Sequence, residues 1–103
     1  MNKLLTLILA AVLGSFAQAA VADGAALAQK GGCMACHSIE KKILGPAFKD
    51  VAAKYKGKGA EAALVKKVKE GGSGVWGPMP MPSNAGKLSD DEFKSVVDWV
   101  ISL

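Results

Sequence analysis

The residues of this chain best suited to chemistry form one pentapeptide, Cys33-Met34-Ala35-Cys36-His37. It reads C-x-x-C-H, the pattern by which a haem c is attached covalently. Two thiols a turn apart can both add across the two vinyl groups of one porphyrin. The next residue, His37, then lies under the ring and can give its Nε2 to the iron. The only two cysteines and the only histidine of the 103 residues all sit here.

Competing uses of these residues are weaker. A thioredoxin-like redox pair requires a βαβ pattern around the C-x-x-C, and no such strands are read. A zinc site normally takes four Cys, His or carboxylate ligands, and the chain has no second Cys/His pair. A plain disulfide leaves His37 without a role.

The second informative stretch is Val75-Trp76-Gly77-Pro78-Met79-Pro80-Met81-Pro82. Prolines at alternate positions forbid a helix and favour extended backbone. A segment fixed in this way loses little entropy on being held against a ring. Without a second histidine or a further cysteine, the distal candidates on an iron are a methionine, a lysine or nothing. A thioether from the proline-fixed loop is the natural choice, and His/Met ligation raises the reduction potential. Met79 and Met81 both qualify, and only one can fill a single position.

Four helices are expected to position these residues. The first covers about 24–30, followed by Gly31-Gly32, where the backbone can approach a cofactor closely. Residues 38–44 read as turn and loop, closed by Gly45-Pro46, with proline suited to a first helical position. In a second helix over 47–55, Phe48, Val51, Ala52 and Tyr55 form one apolar stripe. Lys56-Gly57-Lys58-Gly59 ends it. The third covers about 60–70, with Leu64, Val65 and Val68 facing inward and Lys66, Lys67 and Lys69 on a solvated face. Gly71-Gly72-Ser73-Gly74 stops it. The fourth opens with a capping box, Ser89-Asp90-Asp91-Glu92. It carries Phe93, Val96, Val97, Val100 and Ile101 on one face. No strand pattern, repeat or second domain is read.

The N-terminus has the layout of a secretory signal: Lys3, an apolar run over 4–13, then small residues. Cleavage sites follow Ala19 and Ala22, and the second is favoured. The expected division is a cleaved signal peptide over 1–22 and a domain of 81 residues over 23–103. So small a domain usually needs a staple, and a covalently held haem would be one. The polypeptide is expected to be largely unfolded without it. No other stretch is long enough to cross a membrane. The formal charge of +4 falls to about +1 once Lys3 is removed and two haem propionates are counted. That field is too weak to suggest nucleic acid, and aromatics are not interleaved with the lysines.

The haem motif, Gly45-Pro46 and the block Gly74-Val75-Trp76-Gly77-Pro78-Met79-Pro80-Met81-Pro82, in this order and spacing, resemble the short bacterial class I cytochromes c of the c-551/c-552 group. The resemblance covers essentially all of 23–103. It implies an all-α fold of about four helices wrapped around one covalently attached haem c. By this resemblance Cys33 and Cys36 carry the thioether bonds and His37 is the proximal ligand. Met81 is the distal ligand, and Met79 takes an aliphatic packing position. The Pro46 carbonyl accepts the Nδ1 proton of His37, the Trp76 indole reaches a propionate, and Asn84 lies beside the Met81 sulfur. Pro82-Ser83-Asn84 stands where many relatives have Pro-Pro-Asn, so a less rigid loop is expected. Extra residues lie around Ala85-Gly86-Lys87. Lys67 stands where some relatives place an arginine on a propionate, and it lacks the two-pronged contact of arginine.

The implied function is that of a periplasmic electron carrier rather than an enzyme. With two protein ligands on the iron there is no open site for a substrate. Partners are expected to dock briefly at the edge near Cys33 and Cys36, with Lys30, Lys41, Lys42 and Lys49 as candidates for steering. The resemblance implies a cytochrome bc1-type donor and a terminal oxidase or nitrite reductase as acceptor, with the carrier itself a monomer. The alternatives are a haem protein with an open distal site, gas-binding or peroxidatic, and a haem-free thiol–disulfide protein.

Overall fold

The computed structural model describes residues 23–103, and the signal segment expected over 1–22 lies outside the described residues. The described chain forms four α-helices, a short 3-10 turn and a two-stranded ribbon. Each helix lies within about a residue of its expected limits: α1 Gly24–Lys30, α2 Phe48–Tyr55, α3 Glu61–Glu70 and α4 Asp90–Ser102.

Local chemistry sets the helix ends. The Asp23 carboxylate accepts the Ala25 amide at 3.1 Å and caps α1. At α2 no side chain caps the start; the amides of Phe48 and Lys49 instead donate to the carbonyls of Ser38 and Ile39 at 2.9 and 3.0 Å. These bonds satisfy donors that a helix leaves orphaned and fix the loop that follows the haem motif. The capping box of α4 is formed in full: the Glu92 amide donates to the Ser89 hydroxyl at 3.2 Å, and the Ser89 amide to the Glu92 carboxylate at 3.0 Å.

The core joins α1, α2 and α4. Leu27, Ala28, Phe48, Leu88, Phe93, Val96 and Val100 are buried together. α1 crosses α4 at Gly24, where a side chain would collide with the Trp99 Cβ and the Ser95 carbonyl. Lys30 adds an ion pair to Glu92 at 3.0 Å. In contrast, α3 has no buried residue, although it carries the apolar stripe expected of it. Leu64 and Val68 of that stripe line a cavity, and Val65 packs against the core.

The ribbon differs from the sequence expectation of no strand. β1 (Gly72–Gly74) pairs antiparallel with β2 (Gly77–Met81), with Gly72 opposite Met81 and Gly74 opposite Gly77. The extended backbone over 75–82 was legible from its prolines, but its partner Gly-Ser-Gly offers no side-chain alternation to read. The register is irregular between Gly72 and Gly74, which accommodates prolines that cannot donate to a ladder.

Candidate functional site

The pentapeptide is wound into the 3-10 turn Cys33–Ala35, entered through Gly32 at φ 76°. The left-handed backbone there favours glycine. The amides of Cys36 and His37 both donate to the Cys33 carbonyl, at 3.2 and 3.0 Å. This tight winding brings Cys33, Cys36 and His37 to one wall of the cavity. The cysteines are not disulfide-bonded. Burial pushes the Cys33 thiol above its ordinary value, the reverse of what an activated redox thiol requires.

His37 Nδ1 lies 2.8 Å from the Pro46 carbonyl. A carbonyl can only accept, so Nδ1 carries the proton and Nε2 keeps its lone pair for a metal. The ring is held from two further sides. Phe48 stacks on it with centroids 4.8 Å apart and planes 19° apart, and Trp99 meets Phe48 edge-on at 5.5 Å. Gly45 lies against it: a Cβ there would be 2.6 Å from Cε1. The Phe48 stack was not legible in the sequence, where Phe48 read only as part of the α2 stripe.

The ribbon and Pro82 after it form another wall. Met79 and Met81 are alternate residues of β2 and both line the cavity. They differ in exposure, for Met79 is 59% exposed while Met81 is half-buried. Gly71 permits this placement, because a Cβ there would strike the Met81 carbonyl, Pro82 and the Ser83 amide. Asn84 is buried, but it does not line the cavity. Its Nδ2 donates to the carbonyls of Val68 at 3.0 Å and Pro82 at 3.3 Å. Both amide protons are thereby engaged by backbone.

Between these walls lies a cavity of about 320 Å³, closed by Leu64 and Val68 of α3 and by Val96, Val97 and Val100 of α4. Its chemistry is a largely apolar lining that brings together the His37 imidazole, the Met79 and Met81 thioethers and the Cys33 and Cys36 thiols. This donor set fits one haem c, with soft and imidazole ligands suited to iron. Trp76 and Lys67 also border the cavity. The Lys54 Nζ sits 5.3 Å from the Trp76 ring centroid and 5.8 Å from that of Tyr55, a cation–π contact that ties the ribbon's turn to α2.

The four candidate lysines separate into two groups. Lys30 pairs with Glu92 and Lys49 with Glu40, each at 3.0 Å. Lys41 and Lys42 are exposed and have no ion pair among the described residues. Exposed Leu44, Val75, Trp76 and Met79 provide apolar surface around the same cavity.

Comparison with known proteins agrees with this geometry. The family described as cytochrome c matches residues 21–103. Cytochrome c-551 of Pseudomonas aeruginosa is 53% identical over 81 residues, covering 78% of this chain and 76% of the relative. Cytochrome c-552 of Nitrosomonas europaea is 48% identical over 99 residues, covering 88% of this chain and 94% of the relative. The crystal structure of wild-type Nitrosomonas europaea cytochrome c552 superposes with a TM-score of 0.72 at 49% identity, covering 77% of this chain and 98% of that one.

Proposed function

The chain belongs to the cytochrome c family and is a mono-haem electron carrier rather than an enzyme; on that premise we propose that it works in the periplasm with His37 and Met81 as its axial iron ligands. The observation that carries the reading is that His37 and Met81 line one cavity. His37 has its Nδ1 proton fixed on Pro46, and Met81 is half-buried in the same lining.

Haem c, when bound, supplies a one-electron ferrous/ferric couple. The protein residues hold and tune it. Cys33 and Cys36 provide the thioether attachments. The bond from His37 to Pro46 orients the imidazole and raises its donor strength. Met81 contributes a soft sulfur that favours the reduced state. The apolar faces of α3 and α4 keep water away, so both oxidation states meet nearly the same surroundings. Trp76, with its indole N–H a donor only, and Lys67 provide polar contacts for the propionates.

Residues 1–22 act in this reading as a cleaved export signal, which delivers the domain to the compartment where the haem is attached. Among the described residues no helix is long and apolar enough to cross a membrane. Redox partners dock at the cavity rim, where exposed apolar residues and the unpaired Lys41 and Lys42 lie together; a bc1-type donor and a terminal oxidase or nitrite reductase suit such a surface. Visible spectra of the purified protein test the proposal. A six-coordinate low-spin haem in both states, with carbon monoxide binding poorly to the reduced form, is expected. Rapid, tight carbon monoxide binding at neutral pH would overturn it.

A further inference from the structure

We propose that Ser83 is a positioning residue for Met81, its hydroxyl fastening the methionine-bearing loop to the C-terminal carbonyls of α3. An α-helix leaves its last four carbonyls without intrahelical partners. In α3 the Gly71 cap amide serves one of them and the loop serves two more. Lys67 O receives the Gly71 amide at 2.7 Å; Val68 O receives the Asn84 amide at 3.3 Å and Asn84 Nδ2 at 3.0 Å; Lys69 O receives the Asn84 amide at 3.2 Å and the Ser83 hydroxyl at 2.7 Å. The Ser83 oxygen in turn accepts the Ala85 amide at 3.2 Å, so the hydroxyl both donates and accepts.

Only Pro82 separates Ser83 from Met81, and proline fixes its own φ. Holding Ser83 on α3 therefore limits where Met81 can go. Gly71 brings the helix end directly under the same three residues. Within this clamp Asn84 is buried and Ser83 is exposed. Water competes for the serine bond first, so local opening of the loop begins there. The expectation of a looser loop at Pro82-Ser83-Asn84 is thus offset by a bond that proline could not make.

The proposal rests on Met81 as the distal ligand, and the experiment separates the two. Ferric holoprotein is titrated with imidazole, which competes with Met81, and hydrogen exchange is followed at the Ala85 amide. Ser83→Ala is expected to tighten imidazole binding roughly fivefold, the equilibrium factor for one ordinary hydrogen bond, and to speed exchange at Ala85. Ser83→Thr, which keeps the hydroxyl, restores both. Wild-type imidazole affinity in Ser83→Ala, or the same tightening in Ser83→Thr, overturns the proposal alone. An unchanged ferric spectrum in Met81→Ala overturns the ligand reading and the proposal with it.

Discussion

Gly45 and His37 are packed so closely that a methyl group on Gly45 would lie 2.6 Å from the ring Cε1 and 2.8 Å from Nδ1. Gly45 does not have a positive φ, so the requirement is steric. Gly45→Ala must move the ring or lengthen the bond to Pro46. Overpacking of this kind costs about 1–3 kcal/mol. Loss of the bond from His37 to Pro46 weakens the imidazole as a donor, which disfavours the ferric state. The holoprotein is therefore expected to have a lower denaturation midpoint and a higher reduction potential, measurable by guanidinium titration and by voltammetry.

The two methionines of β2 are expected to respond oppositely. Met81→Ala opens the sixth position, lowers the potential and lets external ligands bind. It also removes a half-buried side chain, at a cost on the order of 2–5 kcal/mol. Met79 is largely exposed, so Met79→Ala stays within about 0.5 kcal/mol and leaves the spectrum unchanged. Spectra of the two ferric variants with and without imidazole decide the assignment, and reversed behaviour would transfer the ligand to Met79.

What could be read in advance follows from where the information resides. α4 was legible because its cap and its stripe are both local: Ser89 and Glu92 are three residues apart, and Phe93, Val96, Val97 and Val100 repeat on one face. All four are buried. The α3 stripe was equally legible, yet Leu64 and Val68 remain only half-buried because they line the cavity. The ribbon was missed because pairing is a property of two segments, and Gly72-Ser73-Gly74 has almost no side chains. By resemblance Asn84 lies beside the Met81 sulfur; in the structure its amide protons go to the carbonyls of Val68 and of Pro82, the residue next to Met81. No local rule assigns a side-chain amide among several carbonyls.

Acid should loosen the α1–α4 contact through Glu92. The Ser89 amide, first, and Lys30, second, hold the Glu92 carboxyl below its ordinary value. A depressed carboxylate contributes stability that is fully present above its unfolded value, about pH 4.3. The contribution declines as pH falls through the lower folded value, because the unfolded chain then binds the proton more readily. Glu92→Gln should therefore lower the denaturation midpoint at pH 6 and narrow its difference from wild type at pH 3. Ser89→Ala should cost about 1 kcal/mol at neutral pH through loss of the cap. Denaturant titrations across that range check both.

Removal of the haem should cost this protein most of its fold. The described polypeptide alone places Leu64 and Val68 of α3 and Val96, Val97 and Val100 of α4 around a cavity of about 320 Å³, and α3 has no buried residue of its own. Only half-buried Val65 and Val68 pack it against the core; ion pairs such as Lys69 with Asp90 at 2.7 Å and Lys94 with Glu61 at 3.9 Å are exposed and contribute little. A domain of this size has scant reserve. In a Cys33→Ser/Cys36→Ser chain, the aromatic group of His37, Phe48 and Trp99 should lose its fixed geometry together with α3. Near-ultraviolet circular dichroism is expected to collapse while some far-ultraviolet helix signal from α4 persists, since its capping box and stripe are local. A native-like near-ultraviolet spectrum would mean that α1, α2 and α4 suffice to hold the fold.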